Sequence, residues 1–290
     1  MTTTTASAPL AQKRVRRTSA GSRVTGPILT VVTWLIALLF FFPVAWMVIS
    51  GFKTEALAAE LPPRFLFTPT VQQYANIVSR GVVPYALNSL MASVLSTLFV
   101  VVLAIPAAYA LSMRPIPKWR DGLFFFLSTK MLPIAGAIAA IYLLATTLHL
   151  LDNVWVLIIL YTSMNLPIAV WMIRSFMLEI PIELVEAAKV DGASFIRMLV
   201  SIIFPLLAPG LSSAALICFI FSWNEFFLAV NLTSTRAPTL PVFLTGFITS
   251  EGLFWAQLSA AATLCALPVV IAGWVSQKQL VRGLSLGAVK

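Results

Sequence analysis

The amino-acid sequence predicts an all-α transmembrane protein with six membrane-spanning helices. Hydrophobic residues make up 60% of the 290-residue chain and charged residues 10%, against about 45–50% and about 25% in soluble domains. A soluble chain of this length could not bury so much apolar surface in one core. The apolar residues form six long runs, with short groups of basic residues beside them. Lipid is therefore the solvent for most of the chain.

The N-terminal segment, residues 1–26, is expected to be a cytoplasmic tail that precedes a membrane domain of residues 27–290. It is rich in Thr, Ser and Ala, carries five basic and no acidic residues, and shows no apolar periodicity. The apolar run 27–49 follows, and as a helix of about 34 Å it can cross a hydrocarbon core of about 30 Å. Because the apolar region of a signal peptide is roughly 7–15 residues long, this run is predicted to remain as the first span.

Five further runs have the length and apolar character of transmembrane helices. They cover residues 86–112, 122–148, 154–176, 199–228 and 253–277. A polar stretch, residues 50–85, separates the first two spans and contains the turn-forming pair Pro62-Pro63. With an even number of spans, both chain ends lie on the same side of the membrane.

The distribution of Lys and Arg predicts that this side is the cytoplasm. With both termini inside, 14 of the 19 basic residues lie in the tail and the inner segments, and 4 lie outside. The remaining one, Lys130, falls within the third predicted span. Inner loops of membrane proteins carry such an excess of positive charge. We therefore expect a multi-pass membrane protein with cytoplasmic N- and C-termini.

The segment between the fourth and fifth spans, residues 178–198, has the most informative pattern. Pro181 suits the first turn of a helix, where its missing N–H costs nothing. Gly192, directly after Asp191, predicts the end of that helix, because glycine readily adopts the left-handed conformation at this position. Ser194 can then cap a second helix that leads into the fifth span. The pattern predicts a short helix, a glycine turn and a second helix outside the membrane.

Acidic and small residues add to this prediction. Glu183 and Glu186 lie near the N-terminal end of the predicted short helix, where negative charge is stabilising. Ala187 and Ala188 follow, and we expect them to leave one face flat enough for close approach by another protein.

This loop resembles the coupling-loop signature of permeases in binding-protein-dependent ABC importers. The resemblance is carried by Glu186-Ala187-Ala188, by Gly192 after Lys189-Val190-Asp191, and by Ile202 and Pro205. Phe204 departs from the family pattern, which usually has Leu there, but it is also large and apolar. The resemblance implies the six-helix type I ABC importer permease fold with a cytoplasmic coupling helix. It also implies that an ATPase subunit docks on that helix through Glu186, Ala187, Ala188, Asp191 and Gly192.

Other segments are similar to the carbohydrate branch of these permeases, and to its smaller, maltose-type subunit. They are Asn88-Ser89-Leu90, 107–111, 223–226 and 279–283, and the similarity runs from about residue 27 to residue 290. A narrower similarity, to sorbitol/mannitol permeases, is carried by residues 128–133, 250–254, 276–279 and 287–290. The resemblance implies transport of a sugar or a sugar alcohol, with a polyol such as sorbitol or mannitol favoured.

The same resemblance implies a multi-subunit importer in the bacterial inner membrane. The expected partners are a second permease subunit in a heterodimer, two ATP-binding subunits, an extracytoplasmic solute-binding protein and membrane lipid, but no nucleic acid. The sequence has no G-x-x-x-x-G-K-[ST] phosphate loop, so ATP and Mg²⁺ are expected on the partner ATPases. No cofactor is expected in this chain, which is predicted to be a transport component and not an enzyme.

Polar residues inside the predicted spans allow two interpretations. A charge at mid-bilayer costs roughly 2.5–3.5 kcal/mol, so Lys130 and Glu225 should face a cavity or a partner. In the first interpretation they line the translocation path together with Asn224 and with Asn165, which precedes the helix-bending Pro167. In the second, Lys130 extends to the interface or caps a helix, and Glu225 beside Asn224 holds helices together near the outer surface. The sequence leaves both open.

An ion-coupled secondary transporter for a small solute is the alternative function. That class favours intramembrane carboxylates and inverted repeats with broken helices. Only Glu225 qualifies as such a carboxylate, and the chain shows no convincing internal repeat. A membrane enzyme would need clustered His, Asp, Glu or Cys at the membrane face, which the sequence lacks.

Overall fold

The computed structural model describes residues 22–113, 117–250 and 252–286. Most of the predicted tail therefore lies outside the described residues, as do Arg114 of the inner basic group and the C-terminal residues 287–290. The first helix begins at Ser22, four residues before the predicted end of the tail at residue 26.

The described residues form thirteen α-helices and one short hairpin. The helices are α1 (Ser22–Ser50), α2 (Glu55–Ala59), α3 (Gln72–Ser79), α4 (Val82–Ser112), α5 (Trp119–Met131), α6 (Ile134–Thr147), α7 (Val154–Met177), α8 (Ile182–Val190), α9 (Phe195–Met198), α10 (Phe204–Trp223), α11 (Phe227–Leu232), α12 (Leu240–Leu244) and α13 (Trp255–Leu286). A π-helical segment, Leu199–Ile203, joins α9 to α10, and a 3-10 turn, Thr245–Phe247, follows α12. Strands β1 (Ile248–Thr249) and β2 (Gly252–Leu253) pair antiparallel.

Five of the described helical segments are long and apolar enough to cross a membrane. They are Pro27–Ser50, Val82–Ser112, Val154–Met177, Phe195–Trp223 and Trp255–Gln277. A sixth span requires counting α5 and α6 together, although their axes differ by 89°. The all-α transmembrane prediction is confirmed, with a broken helix where residues 122–148 were predicted to be continuous.

The break in the third span is caused by Pro133. Proline disfavours the helical conformation of the residue before it, and Leu132 is extended, with φ −70° and ψ 126°. Pro133 is also non-helical, and α6 begins one residue later. The apolar composition of 122–148 is continuous, so hydropathy alone did not predict the bend.

The fifth span is displaced relative to the prediction of residues 199–228. It begins at Phe195 and ends at Trp223, and the short helix α11 follows after a break. At the break, Asn224 Nδ2 donates a hydrogen bond to the carbonyl of Ile220 at 2.9 Å. Asparagine favours helix ends because its side chain competes for backbone groups in this way.

The chain divides into two units, Met1–Trp46 and Met47–Lys290. In the first unit, every side chain from residue 27 to residue 44 is exposed. These side chains are almost all apolar, as expected for a helix whose surroundings are lipid. Phe42 and Trp46 stack along it with ring centroids 6.1 Å apart.

The second unit is built around α4, α7 and α10. The buried face of α4 carries small or β-branched residues at helical spacing, which let the neighbouring helices approach closely. These residues are Ala92, Ser96, Val100, Ala104 and Ala108, all with no exposed surface. Helix α13 packs against α10 on the side of this core, where the indole N–H of Trp223 donates to the carbonyl of Cys265 at 2.9 Å.

A close helix contact in this unit lies between α7 and α10. A Cβ atom placed on Gly210 would lie 2.4 Å from ring carbons of Phe176 and 2.9 Å from the Phe176 Cβ. Real Cβ atoms do not approach other heavy atoms so closely. Glycine at position 210 is therefore required by the crossing of these two helices.

The two ends of the second unit are held by different contacts. At one end, which we call the α8 end, Arg174 of α7 donates a hydrogen bond to the Leu111 carbonyl near the C-terminus of α4. At the opposite end, Asn88 near the start of α4 donates to the carbonyls of Arg236 and Pro238. Because α4 has 31 residues, these ends lie about 46 Å apart along it.

Asp152 organises the loops at the opposite end. Its carboxylate accepts hydrogen bonds from the backbone N–H groups of residues 234–237, at 2.8–3.2 Å, and from the Thr235 hydroxyl at 2.9 Å. Burial raises the pKa of Asp152, but the backbone hydrogen bonds outweigh burial and hold the pKa well below its ordinary value. The ionised carboxylate thus joins the α6–α7 loop to the loop after α11.

We expect the stability of the protein to fall in acid because of Asp152. The pKa is lower in the folded state than in the unfolded state, so the ionised carboxylate stabilises the fold above about pH 4. That stabilisation is lost as the pH falls from about 4 through the folded-state pKa. Asp152→Asn should lower the melting temperature in detergent by roughly 5 °C at pH 7, and the difference from wild type should shrink below pH 4.

The control for this experiment is Asp121→Asn, because Asp121 is exposed in the first turn of α5. It should change the melting temperature little at any pH. A constant difference between wild type and D152N from pH 3 to pH 7 would contradict the role of the ionised carboxylate.

Candidate coupling site and polar residues of the spans

The predicted helix–turn–helix of residues 178–198 is confirmed. Helix α8 follows Pro181 and ends at Val190, with Asp191 as its C-cap. Gly192 has φ +74°, and its N–H donates to the Lys189 carbonyl at 3.1 Å. The N–H of Ala193 reaches back to the Ala188 carbonyl at 2.9 Å. This pair of hydrogen bonds around a left-handed residue is the Schellman motif, which satisfies carbonyl groups at a helix end.

The second helix starts as the sequence predicted. The Ser194 hydroxyl accepts a hydrogen bond from the backbone N–H of Arg197 at 3.4 Å, which caps α9. The chain then continues through the π-helical segment into α10 without leaving the helical conformation. Pro205 has no N–H to donate to Ser201, and the widened helical turn just before it accommodates the proline ring. The α8–α9 turn is therefore joined to the fifth span by continuous helical backbone.

Helix α8 has one buried and one exposed face. Val185 has no exposed surface and Ala188 is 3% exposed, and both belong to the core formed with α4, α7 and α10. Glu186 and Ala187 are exposed, and Val190 is 87% exposed. The expectation that Ala187 and Ala188 together form a free face is therefore wrong for Ala188. The two alanines are adjacent in sequence and lie about 100° apart around the helix, so one is packed inward and the other faces away.

Buried contacts connect α8 to the spans. Val185 and Ala188 share a core cluster with Ile173 and Met177 of α7 and with Leu111 of α4. Two further contacts hold this end together. Tyr109 of α4 meets the ring of Phe195 edge-on at 5.2 Å, and the Arg174 guanidinium lies 4.4 Å from the ring centroid of Trp119 on α5. A force applied to α8 would therefore be transmitted to α4 and α7 through close packing.

Sequence reasoning did not single out Val185 and Arg174, which make these connections. Val185 has a detectable signal, since its spacing of three residues from Ala188 places the two on one helix face. For Arg174 the sequence gives no signal beyond its position in the last turn of a predicted span. Its hydrogen-bond acceptor, the Leu111 carbonyl, is 63 residues away.

Lys130 lies in the last turn of α5, immediately before the break at Leu132-Pro133. Its side chain is exposed, and Nζ lies 5.5 Å from the ring centroid of Phe221 on α10. A positive charge at this position is favoured by the helix dipole and by the aromatic ring. A role for Lys130 in the translocation path stays a prediction.

Asn165 lies inside the second unit and has no exposed surface. Its Nδ2 donates to the Ser222 hydroxyl at 2.9 Å, and the Ser222 and Ser96 hydroxyls are 3.1 Å apart. This polar chain links α7, α10 and α4. The Oδ1 atom of Asn165 is buried without a hydrogen-bond partner among the described residues. Here the structure shows an interhelical polar contact, and a path role for Asn165 also stays a prediction.

Asn224 and Glu225 lie just beyond the end of α10 instead of within a span. The Glu225 carboxylate accepts hydrogen bonds from the backbone N–H groups of Leu228 at 2.9 Å and Ala229 at 3.3 Å. It therefore caps the start of α11, where the N–H groups have no partner within the helix. These contacts are local to the start of α11, so they test neither the interpretation of Glu225 as a residue that holds helices together nor the path role of Glu225 and Asn224.

Comparison with known proteins places this architecture in a family. Residues 74–286 match the family model described as the binding-protein-dependent transport system inner membrane component. An ABC transporter permease protein of Sinorhizobium fredii is 37% identical over 271 residues, which are 93% of this chain and 98% of the relative. The trehalose/maltose transport system permease protein of Thermococcus litoralis is 32% identical over 267 residues, covering 88% of this chain and 94% of the relative.

A solved structure supports the fold. One chain of a bacterial ABC transporter involved in the import of the acidic polysaccharide alginate superposes with a TM-score of 0.72. The superposition covers 90% of this chain and 98% of that chain, at 23% sequence identity. The predicted type I ABC importer permease fold is thereby confirmed. The matched family, the coverage and the fold together show that this chain belongs to the binding-protein-dependent transport system inner membrane components and is an integral inner-membrane permease of the ABC importer class.

Proposed function

We propose that this chain is one of two permease subunits of an ABC importer for a sugar or sugar alcohol, driven by ATP hydrolysis on separate subunits. The observation that carries the proposal is the geometry of α8. It is a short helix with an outward face of Glu186, Ala187 and Val190, a buried face anchored in the spans, and a glycine turn that fixes its exit. Such an element can receive a force from a protein docked on its outward face.

The proposed mechanism is conformational. Closure of the ATPase subunits on ATP would displace the outward face of α8. The buried anchors Val185 and Ala188 would pass this displacement to α4, α7 and α10 and so open the solute path alternately to the two sides. ATP can drive this change only if the ATPases bind one transport state more tightly than the other.

In this proposal the α8 end lies in the cytoplasm. The excess of Lys and Arg on the inner segments supports that orientation, as does the family membership. The opposite end, with Asp152 and the loops after α11, then faces the solute-binding protein. The second permease subunit forms a heterodimer with this chain, since the sequence resembles the smaller of two unlike subunits.

A carbohydrate substrate is supported by the relative from Thermococcus litoralis, whose name specifies trehalose and maltose transport. The narrower proposal of a polyol depends on the local resemblance to sorbitol/mannitol permeases.

Lys130 and Asn224 are the predicted path residues with exposed side chains. The Glu225 carboxylate is engaged by backbone N–H groups, which leaves it less available for the ion coupling that a secondary transporter would require.

Cysteine cross-linking of the assembled transporter tests the docking proposal. In a background with Cys218 and Cys265 replaced, Ala187→Cys should form a cross-link to the ATPase subunit with a short bifunctional reagent. Ala188→Cys is the matched control, because its side chain is 3% exposed and should react weakly. Equal labelling of both positions without capture of an ATPase, or uptake by this chain alone driven by protons or sodium, would overturn the proposal.

The substrate is tested on the cognate solute-binding protein. We expect sorbitol or mannitol to raise its melting temperature by several degrees, because a ligand that binds only the folded state stabilises it. A panel that includes trehalose and maltose distinguishes polyols from disaccharides. A shift with a disaccharide alone would overturn the polyol proposal but not the sugar-importer proposal.

A further inference from the structure

Arg174, in the last turn of α7, contacts both the end of α4 and the start of α5. Its Nε donates a hydrogen bond to the Leu111 carbonyl at 3.1 Å. Its guanidinium carbon lies 4.4 Å from the ring centroid of Trp119. Leu111 belongs to the last turn of α4, and Trp119 is the first residue of α5. One side chain of α7 therefore joins two other spans at the α8 end.

The chemistry of both contacts suits arginine in particular. Carbonyl groups in the last turn of a helix have no donor within that helix, so the Leu111 carbonyl gains a partner from Arg174. A planar guanidinium can stack on an aromatic ring and still donate a hydrogen bond, which a lysine ammonium cannot do in the same geometry. Arg174 and Trp119 are both half-buried, and partial exclusion of water strengthens the attraction between the charge and its partners.

Helix α5, the first half of the broken third span, is anchored mainly near Arg174. Trp119 and Leu123 in its first turns pack against the core that contains residues of α4, α7, α8 and α10. Among the described helices, α7 is the main neighbour of α5. At the far end, Lys130 approaches the ring of Phe221 on α10. The large apolar side chains between and beside these anchors are mostly exposed, as in Phe124, Phe125 and Met131. The position of α5 therefore depends strongly on its contact with the end of α7.

The same end of α7 is packed against α8. Ile173 and Met177, which flank Arg174 in the chain, share a core cluster with Val185 and Ala188 of α8. A displacement of α8 would thus reach the last turn of α7 directly, because close-packed side chains transmit strain. From there, Arg174 offers a direct connection to α5.

We propose that Arg174 is a positioning residue for transport, which makes α5 move together with α8 and the end of α7. The inference rests on the proposed function, since it requires a force on α8. Without the guanidinium, α8 would still displace α7, but α5 would follow incompletely. ATP would then be hydrolysed with less transport of substrate.

The test measures uptake and ATP hydrolysis by the complete transporter in proteoliposomes. The solute is whichever member of the polyol and disaccharide panel stabilises the cognate solute-binding protein. Arg174→Gln should lower the amount of solute transported per ATP about fivefold to tenfold, as expected when a hydrogen bond from a charged group is lost. Arg174→Lys can still donate to Leu111 but cannot stack a planar group on Trp119, so its loss should be smaller. Trp119→Leu removes only the stacking and tests the α5 side of the contact, also if R174Q does not fold.

Arg120→Gln is the matched control. The Arg120 guanidinium also lies near the Trp119 ring, at 5.4 Å. Arg120 is exposed, however, and it belongs to the same helix as Trp119, so this contact joins no second helix. R120Q should therefore keep the ratio of transport to ATP hydrolysis within about twofold of wild type, as expected for an exposed charge. The melting temperature of each variant complex verifies folding.

Spin labels on α5 and at the end of α7 give a readout that a purely structural role would not change. Phe125 and Leu178 are exposed and can be replaced by cysteine in a background without Cys218 and Cys265. In wild type, the distribution of distances between the labels should be the same without nucleotide and after trapping with ATP and vanadate. In R174Q the two distributions should differ, since α5 no longer follows α7.

The outcomes separate this inference from the proposed function. Wild-type coupling in both R174Q and W119L would overturn the role of Arg174, as would equal losses in R174Q and R120Q. A change of distance between the two states in wild type would overturn it too, because α5 would then move independently of α7. So would a loss of uptake in R174Q with an unchanged transport ratio and unchanged distances, which would assign Arg174 a structural role alone. If the wild-type complex showed no ATP-dependent uptake, the proposed function would fail and the inference with it.

Discussion

Replacing Gly192 with valine is expected to reduce substrate uptake by about tenfold or more while the protein remains in the membrane. Gly192 has φ +74°, in the left-handed region. A β-branched residue there costs about 1–3 kcal/mol. Apart from Gly192 itself and its two chain neighbours, no described heavy atom lies within 4 Å of the position that a Cβ would occupy. Backbone strain is thus the only direct effect of the substitution, and it acts on the turn that directs α8 towards α9.

The measurement compares uptake with ATP hydrolysis in the reconstituted transporter. We expect G192V to hydrolyse ATP without a matching increase in transport, because α8 would no longer be held against α9 in the same orientation. Gly192→Asn is the control, since asparagine tolerates the left-handed conformation, and it should retain most of the uptake. Normal coupling in G192V would count heavily against transmission through this turn.

Replacing Gly210 with alanine is expected to cause the largest loss of stability among single methyl additions in the described spans. The added Cβ would overlap the Phe176 ring at 2.4 Å, and the Phe176 Cβ at 2.9 Å limits how far the ring can move away. Overpacking of this kind costs about 1–3 kcal/mol. That loss corresponds to a decrease in melting temperature of roughly 3–10 °C. Because Gly210 lies on the crossing of α7 and α10, transport should fall as well.

Gly273→Ala provides a matched control in another span. Gly273 lies in α13 with nothing within 4 Å of its Cβ position, so the substitution should leave the melting temperature unchanged or raise it slightly. In a Phe176→Ala background the additional loss caused by G210A should be smaller than in wild type, because the ring is removed but the Cβ contact remains. A G210A protein as stable as wild type would show that the helices separate at little cost.

The loop at residues 178–198 shows which structural features can be predicted from local sequence and which cannot. The stop at Gly192 and the cap at Ser194 depend on residues within four positions of one another, and the structure confirms both. Ala188 was misassigned because local sequence does not state which side of a helix meets the rest of the protein. Its burial depends on α4, α7 and α10, which come together only on folding.

The polar residues of the spans show the same limit. The sequence identified Glu225 and Asn165 as unusual, because a charged or amide side chain in an apolar run needs a partner. It could not name those partners, since Ser222 lies 57 residues from Asn165. Asp152 carries no signal in the sequence beyond its place in a short loop between two predicted spans. Its hydrogen bonds to residues more than 80 positions away appear only in the folded chain.

By itself the sequence determined the membrane location, the approximate limits of the spans and the helix–turn–helix between the fourth and fifth spans. These features follow from hydropathy and turn chemistry, which act over short stretches of chain. Tertiary structure alone decided which face of α8 is free and which distant residues hold the side chains of Asn165 and Asp152. Each of these depends on which distant segments pack together, and burial and helix orientation are set by that packing.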